Sequence, residues 1–252
     1  MKKTNYKYLN IKGAVLDNYQ LEQYMEKIAT SHDVELTSNI ATYPIPRLKD
    51  NYRFIEKTYD LLNKHIKMGI NLYPAGEWLL DNFYIIEETF KTVCKEMTIT
   101  KYKKLPGITT GMYKGFSRIY VVASEIVAYT DNKINDEILS MAISAYQRRK
   151  TLAMEEIWNL WIFLEIAIIE NIRNICEKIY SSQVQKYKVE SIIERLVEKK
   201  EANTQVFKPI KDEYKENVSY KEMKYPFIEY MSYKLKSTGR KGLPYLEILE
   251  EQ

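Results

Sequence analysis

The sequence is poor in the residues that metal sites, disulfide frameworks and tight turns require. Its 252 residues include two cysteines, two histidines, eight glycines and seven prolines. Cys94 and Cys176 are isolated on helical stretches, which indicates two small buried side chains in a reducing compartment. His32 and His65 have no ligand spacing to each other or to the cysteines, so no metal site is expected. The few glycines and prolines disfavour a β-rich fold with many turns.

Long apolar runs are also missing. The most apolar stretch, 157–169, is interrupted by Asn159 and Glu165 and is shorter than the about 20 residues that a membrane span needs. The N-terminal MKKTNYKYLN starts with positive charge, but the apolar segment of a signal peptide does not follow. The sequence therefore predicts a soluble intracellular segment with no membrane span of its own.

Charge and motifs exclude several further classes of function. The 38 basic and 34 acidic residues are interspersed, which gives a net charge of +4 without the basic face of a nucleic-acid binder. Gly107, Gly111 and Gly115 are spaced by four, but no Gly-Lys-Ser/Thr follows to complete a phosphate-binding loop. The sequence also lacks G-x-S-x-G, G-x-G-x-x-G and a pair of histidines four residues apart. No nucleotide or nucleic-acid partner is expected.

Few carboxylates are candidates for catalysis. Glu125 and Glu165 lie among apolar residues of predicted helices, where carboxylates are more commonly ion-paired structural residues than catalytic ones. Glu165 and Glu170 are five residues apart, so they project about 140° apart on a helix and cannot share a site unaided. The adjacent Asp81 and Asn82 favour a buried hydrogen-bonded pair over a catalytic group. We predict no catalytic, cofactor-binding or metal-binding residue in this chain.

What the sequence does contain is helical periodicity, most strongly over 151–180. Thr151 is a predicted N-cap, and Glu155 and Glu156 place negative charge in the first turn, where the helix dipole favours it. The apolar seam consists of Trp161, Leu164, Ile168, Ile172, Ile175 and Ile179. Because Trp158 and other apolar residues lie off this seam, the helix is apolar almost all round and is predicted to be the buried centre of the fold.

Eight further helices follow from seams, caps and breakers. Asp17 and Asn135 are predicted N-caps, Gly69 a helix end, and Pro74 a first helical residue, so that two helices form an antiparallel hairpin across 69–73. Arg118 opposes the dipole at a helix start, which suggests a carboxylate partner elsewhere. The predicted helices are 17–29, 47–69, 74–97, 117–130, 136–150, 190–201 and 244–252, together with 151–180 and one that begins at Pro226 and is closed by Gly239 or Gly242. No strand is predicted.

Between these helices the sequence predicts irregular chain: a loose arm at 1–16, a linker at 31–46, and loops at 98–116 and 202–217. The expected class is all-α, with stacked antiparallel hairpins around the helix at 151–180 and residues 1–252 forming one domain. The 22 tyrosines fit amphipathic helix flanks, since the ring can be buried while the hydroxyl stays hydrated. A carbohydrate-stacking surface is the alternative interpretation of these tyrosines.

Several stretches, in order and spacing, resemble one family of enzymes. PAGEWLLDNFYIIEE (74–88), YKKLP (102–106), GFSRIYVVASEIVAYTD (115–131), AYQ (145–147), LAMEEIWNLWIFLEIAIIENIR (152–173) and PFIEYMSYKLKSTGRKGLPYLEILEEQ (226–252) are similar to the N-terminal helical region of the cyclic β-1,2-glucan synthetases. The family joins a membrane glycosyltransferase to a glycoside-phosphorylase-like module. Phe116, Ser117 and Tyr129 depart from the family pattern.

The resemblance implies a structural role, because the family's chemistry lies beyond this region. It implies a fragment of a longer protein, at the inner face of the cell membrane, that packs on or regulates the transferase of its own polypeptide. No catalytic residue or cofactor carries over, and no activity is expected from the segment alone. A weak glucan contact through some of the tyrosines is an alternative that the sequence leaves open. A free-standing helical interaction module with no role in glucan synthesis is the alternative.

Overall fold

The structure, a computed structural model, describes residues 9, 11, 14–36, 42–198, 224–243 and 246. These residues are predominantly helical, which confirms the all-α class. The helices are α1 Asn18–Ser31, α2 Ile45–Lys67, α3 Pro74–Glu96, α4 Ile99–Tyr102, α5 Arg118–Tyr129, α6 Asp136–Gln147, α7 Met154–Glu198 and α8 Lys224–Ser237. Two strands, β1 Val34–Leu36 and β2 Pro106–Ile108, and a 3-10 turn at Gly239–Lys241 complete the described elements.

Two of the helix starts predicted from capping residues are confirmed, those at Asp17 and Asn135. The Asp17 carboxylate accepts the Gln20 N–H at 2.8 Å while the Gln20 side chain accepts the Asp17 N–H at 3.1 Å, which is a complete capping box. Asn135 accepts the Ile138 N–H at 2.8 Å at the start of α6. Gly69 has a φ of 72°, a left-handed conformation that glycine adopts readily after a helix end.

The predicted hairpin of α2 and α3 is present. The ring of Tyr52, near the start of α2, stacks on the ring of Phe90, near the end of α3, with centroids 4.0 Å apart. At the other end of the pair, Leu62 lies against the backbone of Gly76. The start of each helix therefore faces the end of the other, so the two helices are antiparallel.

The prediction of no strand is wrong at two positions. β1 pairs antiparallel with β2, with Val34 opposite Ile108, inside stretches predicted to be a linker (31–46) and a loop (98–116). Each strand has three residues, too few to show the alternation of apolar and polar side chains that identifies a strand. The partners are also far apart along the chain, so no local turn signal announces the pairing.

The central helix is longer than predicted. The helices expected at 151–180 and 190–201 are parts of α7, a single helix of 45 residues. No glycine or proline lies between the two predicted helices, so nothing in the sequence ends the first one. The predicted N-cap at Thr151 is wrong, because α7 begins three residues later at Met154 and the Thr151 carbonyl accepts a hydrogen bond from Arg118. Four predicted stretches lie wholly or mostly outside the described residues. They are the helix end at 199–201, the loop at 202–217, most of the arm at 1–16 and most of the helix at 244–252.

The buried side of α7 matches the predicted apolar seam only in part, because Leu164 and Ile179 are buried whereas Trp161 and Ile175 are exposed. Trp158 and Trp161 are 70% and 64% exposed, whereas Phe163 is fully buried. The prediction that α7 is buried all round is therefore wrong in this part. The reason is that Glu156 and Glu170, each seven residues from Phe163 and so on the same side of the helix, form ion pairs with other elements.

The helices divide into two compact units, and the assignment of 1–252 to one domain stays a prediction. Unit 1 comprises residues 1–56 and 82–174. In it the apolar side chains of α5 are buried, and Phe163 of α7 packs near the rings of Tyr102 and Tyr120, at centroid distances of 6.2 and 5.4 Å. Unit 1 also contains the β1–β2 pair and the packing of α1 on α6.

Unit 2 comprises residues 57–81 and 175–252. One hydrophobic cluster in its described part contains Val189, Ile192, Ile193, Met231 and Leu235, from the end of α7 and from α8. The ammonium of Lys186 lies 4.4 Å from the ring centroid of Tyr73 and 4.9 Å from that of Tyr230, so the buried stem carries its charge between two aromatic faces. No described helix is long and apolar enough to cross a membrane.

Candidate functional site

The polar side chains buried in unit 1 form the candidate site, and the Arg118–Glu156 ion pair is its centre. Arg118 Nε donates to Glu156 Oε1 at 2.9 Å, a second shorter contact joins the same groups, and the side chains are 5% and 0% exposed. Glu156 also accepts the Ala153 N–H at 2.8 Å, which satisfies a backbone donor at the start of α7. The predicted carboxylate partner of Arg118 is thus confirmed.

The electrostatics of Arg118 follow from this partner. Burial alone would lower the pKa of the guanidinium, but the hydrogen bond to Glu156 and the negative charge of Glu156 outweigh burial and raise that pKa. Arg118 is therefore a permanent cation whose charge is matched by one carboxylate. A guanidinium held in this way positions α5 against α7.

His32 lies beside this pair. Its Nδ1 is 2.8 Å from the hydroxyl of Tyr146, and the ring is 1% exposed. Burial, followed by the positive charges of Arg118 and Lys150, lowers the pKa of His32 to about 4. The imidazole is therefore neutral at neutral pH. Its Nε2 has no hydrogen-bond partner among the described residues.

Glu125 is the second buried carboxylate, and hydroxyls surround it rather than cations. Tyr24 donates to Glu125 at 3.0 Å, and Tyr113 donates to its other oxygen. Burial raises the pKa of Glu125, while the two hydroxyl hydrogen bonds partly oppose that rise. Sequence reasoning favoured an ion pair here. The two hydroxyl hydrogen bonds satisfy the buried Glu125 carboxylate without an ion pair. Because the donors lie on α1 and in the 109–115 loop, these hydrogen bonds tie both segments to α5.

The two glutamates of α7 have separate partners, as their spacing predicted. Glu170 accepts from Arg47 at 2.7 Å and from the amide of Asn51. Burial raises the pKa of Glu165, and the Trp161 side chain one turn earlier on α7 partly opposes that rise. Because Glu170 pairs with residues of α2 and Glu165 is not part of that contact, the structure does not bring the two carboxylates into one acid–base site.

Other residues singled out from the sequence also have defined surroundings. Asp81 is exposed, so the expected buried pair with Asn82 is wrong, because the seam of α3 faces α2 on its other side. Cys176 is buried and Cys94 is half-buried, and both are free thiols. His65 is buried and its ring stacks on Tyr187 with centroids 5.5 Å apart.

Sequence reasoning missed the tyrosines that complete the cluster. Tyr113 and Tyr146 lie far from His32 and Tyr24 along the chain, so no local spacing relates them. The one signal in the sequence is that most of the cluster lies within the stretches that resemble the glucan synthetase family. Stretch 115–131 contains Arg118 and Glu125, 145–147 contains Tyr146, and 152–173 contains the glutamates of α7.

The chemistry open to this cluster is structural. Its carboxylates accept from side chains and backbone groups of the protein, and its histidine is enclosed. Within the described ranges, no group of three His, Cys, Asp or Glu side chains is placed to hold a metal ion. The absence of catalytic, cofactor and metal residues stays a prediction. The geometry itself joins α1, α5, α6 and α7 through paired polar groups.

Comparison with known proteins gives one distant relative. No family model matches the chain. Over 151 residues, which are 60% of the chain, it is 26% identical to the cyclic beta-(1,2)-glucan synthase NdvB of Rhizobium meliloti (strain 1021). The matched stretch is 5% of that protein, so the chain spans only a small part of its relative. This similarity supports a distant relationship between the chain and one segment of a cyclic β-1,2-glucan synthase.

Proposed function

We propose that the chain is a non-catalytic helical segment of a β-1,2-glucan-synthesising transferase and that it positions or regulates the transferase part. The observation that carries this proposal is the similarity over 151 residues to a cyclic β-(1,2)-glucan synthase. Because that stretch is 5% of the relative, most of the relative lies outside the similarity, and there is room outside it for the glycosyl-transfer chemistry.

The buried polar cluster supports a scaffold role rather than a catalytic one. A glycosyltransferase needs carboxylates that face a cleft, where they bind a metal or activate an acceptor hydroxyl. In unit 1, Glu125, Glu156 and Glu170 instead accept hydrogen bonds from side chains of neighbouring helices. Such pairing fixes the relative positions of helices within the unit, which is what a docking platform requires.

The experiment uses the transferase polypeptide that carries the segment. Arg118→Ala leaves the buried Glu156 carboxylate unpaired and should disrupt unit 1, whereas Glu87→Gln alters an exposed pair with Lys91 and should not. Glucan formed from UDP-glucose, measured per amount of inserted transferase, should fall for Arg118→Ala and stay unchanged for Glu87→Gln. Undiminished synthesis by Arg118→Ala, with the segment shown to be unfolded, would favour the free-standing interaction module.

The isolated chain provides a second arm of the test. Incubated with UDP-glucose and Mg²⁺, or with β-1,2-glucan and phosphate, it should give no turnover above a heat-treated control. Turnover that disappears in Glu165→Gln or Glu170→Gln would show that the segment is an enzyme. Retention on immobilised β-1,2-glucan would instead indicate the weak glucan contact. The scaffold role would then be tested by the glucan-synthesis experiment with Arg118→Ala.

A further inference from the structure

An open apolar seam runs along the exposed side of α7 in unit 1. Its members follow each other at steps of four, three, four, three and four residues: Met154, Trp158, Trp161, Glu165, Ile168 and Ile172. This is the spacing by which one helix packs along another. The first three are 57%, 70% and 64% exposed, and the last two are half-buried.

The exposure of two tryptophans one turn apart is unusual for a side of a helix that has no partner. Trp is among the residues that contribute most to the free energy of protein association, because its large ring is desolvated on binding. Elsewhere on α7, Leu160, Phe163 and Ile166 are buried, so the helix already has an apolar side for its own unit. The seam is a second apolar side on the same helix.

The one charged member of the seam defines the charge of its occupant. Glu165 is half-buried and lies one turn after Trp161 in the middle of the seam. Burial raises the pKa of Glu165, and the negative charge of Glu96 at the end of α3 adds to this rise. A cation placed against Glu165 would compensate the charge of this half-buried carboxylate.

We infer that the seam is the docking surface for an amphipathic helix that has apolar residues at the same spacing and a lysine or arginine opposite Glu165. The inference rests on the proposed function, and it assigns that helix to the transferase part of the polypeptide. Parallel in-register pairing of two copies of this chain is disfavoured, because it would place Glu165 against Glu165. An anionic lipid surface would repel the same carboxylates.

The test places a photo-activated cross-linking residue at position 158 or 161 of the transferase polypeptide in cells. Position 84 is the matched control, because Tyr84 is an aromatic residue of α3 with 65% exposure. Positions 158 and 161 should link to one peptide of the transferase that contains an apolar helical seam with a Lys or Arg. Position 84 should not link to that peptide.

Charge reversal gives the decisive arm. Glu165→Lys should lower the cross-link yield from position 158 roughly tenfold, and exchange of the partner's basic residue for Glu should restore the yield. Cross-links to a second copy of the chain, to lipid or to glucan, or no cross-link above the control, would overturn the inference. So would a yield that does not respond to Glu165→Lys.

The two proposals fail in different ways. If Arg118→Ala lowers glucan synthesis while Trp158→Ala/Trp161→Ala leaves synthesis and stability unchanged, the segment serves the transferase through another surface. If the charge-reversal pattern is found with a helix of a different protein, the surface chemistry is correct and the transferase role is wrong. Because both tryptophans are exposed, the double variant should fold as the wild-type chain does, and its melting temperature checks this directly.

Discussion

The guanidinium of Arg118 and the carboxylate of Glu156 form a doubly hydrogen-bonded ion pair in the interior of unit 1, between the first turns of α5 and α7. Each group also bonds the backbone around the start of α7, Arg118 through the Thr151 carbonyl at 3.1 Å and Glu156 through the Ala153 N–H. The pair therefore determines which side of α7 faces the core.

Breaking this pair from one side should be strongly destabilising. Glu156→Ala leaves a buried guanidinium without its counter-charge, so we expect the free energy of unfolding to fall by about 3–5 kcal/mol. The double variant Arg118→Met/Glu156→Leu removes both charges and should recover most of that loss. Urea denaturation of the purified chain measures both, with Glu87→Gln as the exposed control. A double variant as unstable as the single one would contradict this account.

His32 should make the stability of the chain depend on pH. Its folded pKa of about 4 is below the about 6.5 of an unfolded histidine, so the unfolded state binds the proton first as pH falls. His32 therefore does not lower the free energy of unfolding above pH 6.5. As the pH falls from 6.5 to 4, that free energy decreases progressively.

His32→Gln removes this titration. Melting temperatures measured from pH 7.5 to 4 should fall less steeply for the variant than for the wild-type chain. The same pH series on His65→Gln provides a comparison with a second histidine, because burial also lowers the pKa of His65. Parallel pH profiles for His32→Gln and the wild type would exclude His32 as the origin of the effect.

Two aromatic residues of α7 should respond very differently to truncation. Phe163 is fully buried, so Phe163→Ala should lower the free energy of unfolding by about 3–5 kcal/mol through lost burial and a cavity. Trp161 is 64% exposed, so Trp161→Ala should change it by much less. Thermal unfolding of the two variants decides the matter, and equal losses would place Trp161 in the core after all.

The hydroxyl of Tyr113 should stabilise the fold through Glu125. Tyr113→Phe removes one of the two donors to this fully buried carboxylate, which we expect to lower the free energy of unfolding by about 1–3 kcal/mol. Tyr84→Phe removes a hydroxyl from an exposed ring and should have little effect. A neutral Tyr113→Phe would mean that water replaces the lost hydroxyl.

The elements that sequence reasoning predicted best are those defined by local chemistry. Asp17, Asn135 and Gly69 act on residues within one turn of themselves, so their effect can be predicted from neighbouring positions in the sequence. The seam that predicted a central helix was also real, but periodicity alone does not say which side faces the core. That choice depends on Glu156 and Arg118, which are distant in sequence.

The buried cluster was harder to predict for the same reason. A carboxylate partner of Arg118 was expected from the helix dipole, but its identity was not available from spacing. His32 was assigned to a linker, because the neighbouring β1 strand is short and its pairing partner is remote. Tyr24 and Tyr113 were two of 22 tyrosines, with nothing local to distinguish them from flank residues.

The hydroxyl of Tyr43 donates to the carbonyl of Met97 at 2.6 Å and so closes the open end of the α2–α3 hairpin. Strands β1 and β2 lie on either side of this hairpin in sequence, so their pairing must close a loop that contains it. The entropy lost on closing a loop grows with the length of free chain. Once Tyr43 and Met97 are joined, little free chain separates the strands, so the hairpin should form early in folding and the sheet late.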